Sequence, residues 1–227
     1  MKTEKLKGTK AHQRYVLSDG TRVPGVTTVL GLLNKPALVK WANNLGLQGI
    51  DSSKYVDETA KIGTLAHEMI QNYLGGPIPD FSMYSPEQID RAENAVLSFY
   101  EWERQTGFHM KTSLIEQQMV SETLKFGGTI DWYGFIGNER WLIDIKTSKA
   151  VYDEHRIQVS AYWGMMVENG YPLDGARILR VGRTEDEGFD DIVLGSGELD
   201  LGYQFFGKLM DVYYTKKELE KYQRRCA

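Results

Sequence analysis

The sequence predicts an α/β domain in which a central mixed β-sheet is flanked by helices, and three patterns predict it. Helical periodicity dominates the first hundred residues, alternation of apolar and polar residues follows over about 113 to 147, and a helix, two strands and a closing helix come after. A strand meander with helices before and after it needs one sheet on which those helices pack.

Each element has a local reason. His12 to Leu17 and Thr21 to Val23 read as a short hairpin around Ser18-Asp19-Gly20, closed by Pro24-Gly25. Thr27 or Thr28 is placed to cap a helix over Val29 to Leu33. Pro36 restarts the chain, and Leu38, Trp41, Ala42 and Leu45 mark a second helix over Ala37 to Leu45. A longer helix is expected over Asp57 to Leu74, with Ile62, Leu65, Ala66, Met69, Ile70 and Tyr73 as its apolar stripe and Gly75-Gly76-Pro77 as its stop. Ser85-Pro86-Glu87-Gln88 supplies a cap, a first-turn proline and a capping-box glutamine for a helix to about Thr106. Strands follow at Ser113 to Ser121, Gly127 to Ile136 and Trp141 to Thr147, then a helix from Asp153 to Asn169. Ala176 to Val181 and Phe189 to Leu194 are the last two strands, and Glu198 to about Gln223 closes the chain as a helix. We expect one domain over 1–227: a small N-terminal segment (1–50) of hairpin and helices packed on a core of 56–215.

Composition narrows the function classes. With 41% apolar and 26% charged residues in 227, the chain has the usage of a globular protein. No apolar run reaches membrane-spanning length, so no membrane association and a cytoplasmic location are expected. The single cysteine, Cys226, excludes an internal disulfide, a thiolate zinc site and a four-cysteine iron–sulfur cluster. Any metal must be held by oxygen and imidazole. A formal charge of −4 leaves nucleic-acid binding to local fields.

The chemistry concentrates in two predicted strands. GGTIDW carries Asp131 and LIDIKTSK carries Asp144 and Lys146, with Gly137-Asn138-Glu139 between them as a turn. Asp144 and Lys146 are two apart, so on a strand they share one face while Ile143 and Ile145 share the other. A lone D-x-K is ordinarily an exposed ion pair worth about 0–1 kcal/mol. Here the strand around it, Trp141-Leu142-Ile143 and Ile145, is nearly continuous apolar sequence, and a buried strand does not carry an acid and a lysine without cause. A cation between the carboxylates would be that cause, and carboxylates suit Mg²⁺ or Mn²⁺. Such a site hydrolyses phosphodiesters: the ion neutralises phosphoryl oxygens and acidifies a water. Lys146 is then placed to orient or deprotonate that water, or to stabilise developing charge, and spacing leaves these open.

His67 stands at the edge of a helical stripe, with Gly63 one turn earlier; it reads either as packing or as a ligand. Gln158 and Tyr162 share a helix face and read either as substrate contacts or as a helix–sheet bridge. Glu116, on the preceding strand, and Glu68 are candidates for supporting the site from behind. Trp41, Trp102 and Trp132 are candidates for stacking on bases.

Together, GTLAHE (Gly63 to Glu68), GGTIDW (Gly127 to Trp132), LIDIKTSK (Leu142 to Lys149) and QVSAY (Gln158 to Tyr162) resemble the RecB-like branch of the PD-(D/E)XK nucleases. The segment VPGVTTVLGLLNKPALVKWAN is similar to the opening of mitochondrial genome maintenance exonucleases and their phage relatives. The resemblance implies a restriction-endonuclease-like core and a metal site of His67, Asp131, Asp144 and the Ile145 carbonyl. It implies catalysis by Lys146 with Asp131 and Asp144, and substrate contacts at Gln158 and Tyr162. It further implies a Mg²⁺- or Mn²⁺-dependent exonuclease acting on single-stranded DNA ends in phage-type replication, recombination or repair. A phage recombination protein or single-strand-binding protein would be the partner. Two other readings stay open: a structure-specific endonuclease, and a non-catalytic DNA-binding or recombination accessory protein.

Overall fold

The computed structural model describes residues 14–107 and 110–226. The expected start of the first hairpin at His12 lies outside them. A short hairpin, β1 (Tyr15–Val16) and β2 (Arg22–Val23), leads into helices α1 (Val26–Leu30), α2 (Pro36–Leu47), α3 (Ser52–Tyr73) and α4 (Pro86–Thr106). Strands β3 (Met110–Ser121), β4 (Phe126–Ile136) and β5 (Glu139–Lys146) follow, then α5 (Asp153–Glu168), β6 (Gly175–Val181), β7 (Phe189–Leu194) and α6 (Ser196–Cys226). The five strands β3 to β7 form one sheet in sequence order, antiparallel except for the parallel β5–β6 pair. The helix α5 supplies the crossover that a parallel pair requires.

Two apolar layers sandwich the sheet. Val26, Val29 and Leu30 of α1 pack with Val159 and Met165 of α5 and Phe206 and Met210 of α6 on one face. Ile62, Leu65 and Ile70 of α3 pack with Val96, Phe99 and Trp102 of α4 on the other. The N-terminal helix α1 thus belongs to the main core, and Lys35 at the start of α2 pairs with Glu154 of α5 at 2.6 Å.

The helix ends show why the chain folds here. Ser85 and Gln88 form the reciprocal capping box of α4, with Pro86 in its first turn, and Gly107 closes it in the left-handed region at φ 65°. Among the boundaries that differ from expectation are two helix starts. The α3 helix begins at Ser52, five residues before Asp57, because the Asp51 carboxylate accepts from the N–H groups of Ser53 (2.9 Å) and Lys54 (3.2 Å); such a cap contributes about 1 kcal/mol. The α1 helix starts at Val26 after Gly25, and neither Thr27 nor Thr28 is its cap.

Candidate active site and metal centre

The site forms where two paired strands part. Pairing between β4 and β5 runs from Ile136↔Glu139 to Trp132↔Ile143 and stops, whereas β5 stays paired with β6 to Lys146↔Arg180. Past Ile143, β5 is open on the β4 side. The Asp131 carboxylate fills that opening, its Oδ2 accepting a hydrogen bond from the Ile145 N–H at 2.9 Å.

The same point is irregular on the other side of β4. Pairing of β3 with β4 goes from Ile115↔Trp132 to Gln117↔Ile130, which sets Glu116 opposite Asp131. Glu116 has φ 48°, in the left-handed region that few non-glycine residues occupy. Along β4 the alternation of faces slips there: Ile130 and Tyr133, three apart, both lie in the layer under α5 and α6, while Trp132 lies in the other.

Four side chains meet at the gap. Lys146 Nζ lies 2.6 Å from Asp144 Oδ2, with Asp144 1% and Lys146 17% exposed at the side chain. His67 Nδ1 of α3 is 3.8 Å from Asp131 Oδ2. Burial pushes the Asp144 carboxyl up from its ordinary value, against the pull of Lys146. Burial acts to lower Lys146, but Asp144 and Asp131 outweigh it and raise the ammonium. Tyr162 is pushed well above the usual phenol range, first by burial and then by Asp144.

The donors suit a hard divalent cation. His67, Glu116 and Asp131 each offer one ligand atom, and these atoms lie within 4.8 Å of one another. Asp144 Oδ1 is buried without a hydrogen-bond partner among the described residues. An anionic oxygen sealed from water with no donor is strongly disfavoured, and a cation is one partner that could satisfy it. Glu116 therefore stands among the ligand candidates, in front of its expected supporting place, with Gln71 Nε2 donating to its Oε1 at 2.5 Å. Glu68 instead lines a neighbouring cavity with Gln71, which Glu116 also borders.

A cleft of about 610 Å³ opens over these groups, lined by His67, Glu116, Asp131, Ile145, Lys146 and Tyr162 on one side and by Trp41, Tyr55 and Val56 among others. Trp41 and Tyr55 meet edge to face, ring centres 5.8 Å apart. Trp102 and Trp132 are fully buried and belong to the core, so they are not available to stack on bases. Gln158 Nε2 donates to the Tyr162 hydroxyl at 2.8 Å; only Tyr162 of this pair lines the cleft.

Tyr15 was not singled out by the sequence. Its ring covers Gly127, where a Cβ would lie 2.2 Å from it, and its hydroxyl is 3.0 Å from Thr129 Oγ1 at the cleft. At Gly128 a Cβ would meet the Tyr162 ring at 2.4 Å. The Gly127-Gly128 pair was the available signal: two adjacent strand glycines mark close approach on both faces.

No protein-family model matches the sequence, and no curated protein matches it. Solved structures resemble it in part. One is of a candidate exonuclease from Eubacterium rectale, at 13% identity and TM-score 0.48, covering 66% of this chain and 65% of that one. Another is an alkaline exonuclease from Laribacter hongkongensis, at 15% identity and TM-score 0.34, covering 72% and 91%. The same enzyme in complex with dAMP matches at 13% identity and TM-score 0.39, covering 75% and 92%.

Proposed function

We propose that this protein is a metal-dependent deoxyribonuclease of the PD-(D/E)XK type, RecB-like branch, which hydrolyses phosphodiesters from single-stranded DNA ends. One observation carries the reading: Asp131, Asp144 and Lys146 converge where β4 and β5 separate, with Asp144 Oδ1 buried and lacking a partner. Buried ionisable groups gathered beside a cleft are the arrangement from which catalytic sites are built, and that supports the reading.

His67, Asp131, Asp144 and the Ile145 carbonyl would hold Mg²⁺ or Mn²⁺, with Glu116 beside them. Such an ion, when bound, neutralises phosphoryl oxygens and acidifies a water. Lys146 directs its ammonium to the phosphoryl oxygens and stabilises charge that develops there. Asp131 holds the Ile145 backbone in place through its Oδ2 and so fixes the direction of the neighbouring carbonyl. Tyr162, seated on Gly128, forms part of the floor, and the Trp41–Tyr55 pair offers an aromatic wall on which an unpaired base can stack. That wall favours a single strand, whose bases are free to splay.

The test is digestion of end-labelled single-stranded, duplex and circular DNA with Mg²⁺, Mn²⁺ or chelator, beside Lys146→Ala. Cutting of linear single strands should require the ion, fall about 100-fold or more in the variant, and spare circles. Cleavage that persists in chelator or in Lys146→Ala would overturn the reading. Cleavage of circular single strands would replace the exonuclease with an endonuclease.

A further inference from the structure

Away from the cleft, one cationic side chain is buried without an acceptor. Arg183 follows β6 by two residues and is 3% exposed, and its Nε and Nη1 have no hydrogen-bond partner among the described residues. A guanidinium remains protonated under all conditions in which a protein folds, so it cannot escape burial by neutralising itself. The Glu187 carboxylate accepts the Arg183 backbone N–H at 2.6 Å and favours the charge from there, but it makes no ion pair with the guanidinium, so two buried N–H donors are left for an anion to meet.

Arg183 lines a cavity of about 410 Å³ together with Arg91 and Asn94 of α4 and with Thr184. Asp90, Glu93 and Glu185 border it as well, all solvent-exposed. Among the described residues no carboxylate oxygen comes within 4.0 Å of either guanidinium. Two cations thus share a cavity whose lining acids are exposed, with the half-buried Glu187 held on the backbone of Arg183. Burial first, and then the charge of Arg91, disfavour the protonated form of Arg183 by more than Glu187 favours it, and a shared anion would relieve the repulsion between the two arginines.

The place in the fold ties this cavity to the cleft. Lys146 of β5 is level with Arg180 of β6, and both strands run in parallel, so Arg183 lies beyond the same sheet end as Thr147 and Ser148, which line the cleft. Tyr55, in the cleft wall, is within electrostatic reach of Arg183. Ligand groups collect at the carboxyl ends of parallel strands in α/β sheets.

We propose that Arg183 and Arg91 form a phosphate-binding subsite, filled by a phosphate of the strand engaged in the cleft; the strand itself rests on the nuclease reading, the anion site does not. The chemistry is a phosphate group, whether internal to the strand or at its end.

The Nε–H resonance of Arg183, assigned by its loss in Arg183→Gln, reads the site directly in the full chain with chelator present. Titration with inorganic phosphate should shift that resonance saturably, and Arg91→Gln, a change on the accessible side of α4, should weaken the phosphate affinity at least fivefold. A hydroxyl-ended single-stranded oligonucleotide that reproduces the shift identifies an internal phosphate; a shift only with a phosphorylated end identifies a terminal one. Absence of a saturable shift with phosphate, or an affinity unchanged in Arg91→Gln, overturns the proposal. Because the readout needs neither metal nor cleavage, its failure beside intact Lys146-dependent digestion removes the subsite and leaves the nuclease, and the reverse result does the opposite.

Discussion

The Asp131 carboxylate accepts the Ile145 backbone N–H at 2.9 Å, at the point where backbone pairing between their two strands has already ended. A side chain takes over from the ladder for one more contact. The same acid then has two tasks: it satisfies a buried strand N–H, and it presents charge beside His67 and Lys146.

These tasks separate by substitution. Asp131→Asn keeps an oxygen that can accept from Ile145, so its thermal melt in chelator should stay within about 0.5 kcal/mol of the parent. Its Mn²⁺ affinity, followed by titration calorimetry, should fall about tenfold or more. Asp131→Ala leaves the Ile145 N–H without an acceptor and should lose a further 1–3 kcal/mol, roughly. Equal stability of the two variants would show that the contact is not holding β5.

His67 depends on how closely α3 approaches the end of β5. At Gly63 an added Cβ would lie 2.7 Å from Thr147 Oγ1, one residue past Lys146. Gly63→Ala should therefore push the helix and its histidine outward, with a stability loss of about 1–2 kcal/mol and weaker Mn²⁺ binding. Thr147→Ala removes the obstructing oxygen, so the double variant should recover most of both losses in a double-mutant cycle. Additive losses would mean that the contact is not what positions His67.

A pH effect is expected away from the site. Asp174, in the loop before β6, accepts from the Arg140 backbone N–H (2.8 Å), Nε (2.8 Å) and Nη2 (2.9 Å) at the start of β5. The Arg140 side chain first, and its backbone N–H next, hold the Asp174 carboxyl down from 3.8 to about 2. The folded state thus prefers the ionised form. The stabilisation is whole above pH 3.8 and is lost as pH falls from there through about 2. Urea midpoints between pH 2 and 5 should drop less steeply in Asp174→Asn than in the parent; parallel curves would refute the clamp.

Much of the frame was legible because its signals are local. Ser85-Pro86-Glu87-Gln88 and Gly107 delimit α4 by hydrogen bonds within a few residues, and the turn that joins β4 to β5 has its left-handed residue at Gly137, φ 62°. The start of α3 was missed because its cap, Asp51, lies eleven residues before Ile62, where the apolar stripe begins. The slip at Asp131 carries no mark in the sequence: Glu116 adopts φ 48° without being glycine, and only strand register sets it opposite Asp131. Grouping Glu116 with His67 therefore needed coordinates. Tryptophan identity was equally silent, since Trp41 lines the cleft while Trp102 and Trp132 fill the core.

That last contrast can be measured. Trp41 projects from α2, a helix with no fully buried residue, and its ring meets Tyr55 across the cleft wall. Trp41→Ala should leave the fold and Mn²⁺ affinity nearly unchanged and weaken binding of a single-stranded oligonucleotide by about 1–3 kcal/mol per stacked base. Trp132, at 0% exposure and donating Nε1–H to Thr112 Oγ1 at 3.0 Å, fills space that nothing else can occupy. Trp132→Ala should lower stability by about 3–5 kcal/mol. Fluorescence anisotropy in chelator reads the first effect and chemical denaturation the second. A Trp41→Ala protein that binds oligonucleotide as tightly as the parent would remove the aromatic wall from the substrate path, because a half-buried indole lining the cleft contributes to binding by stacking.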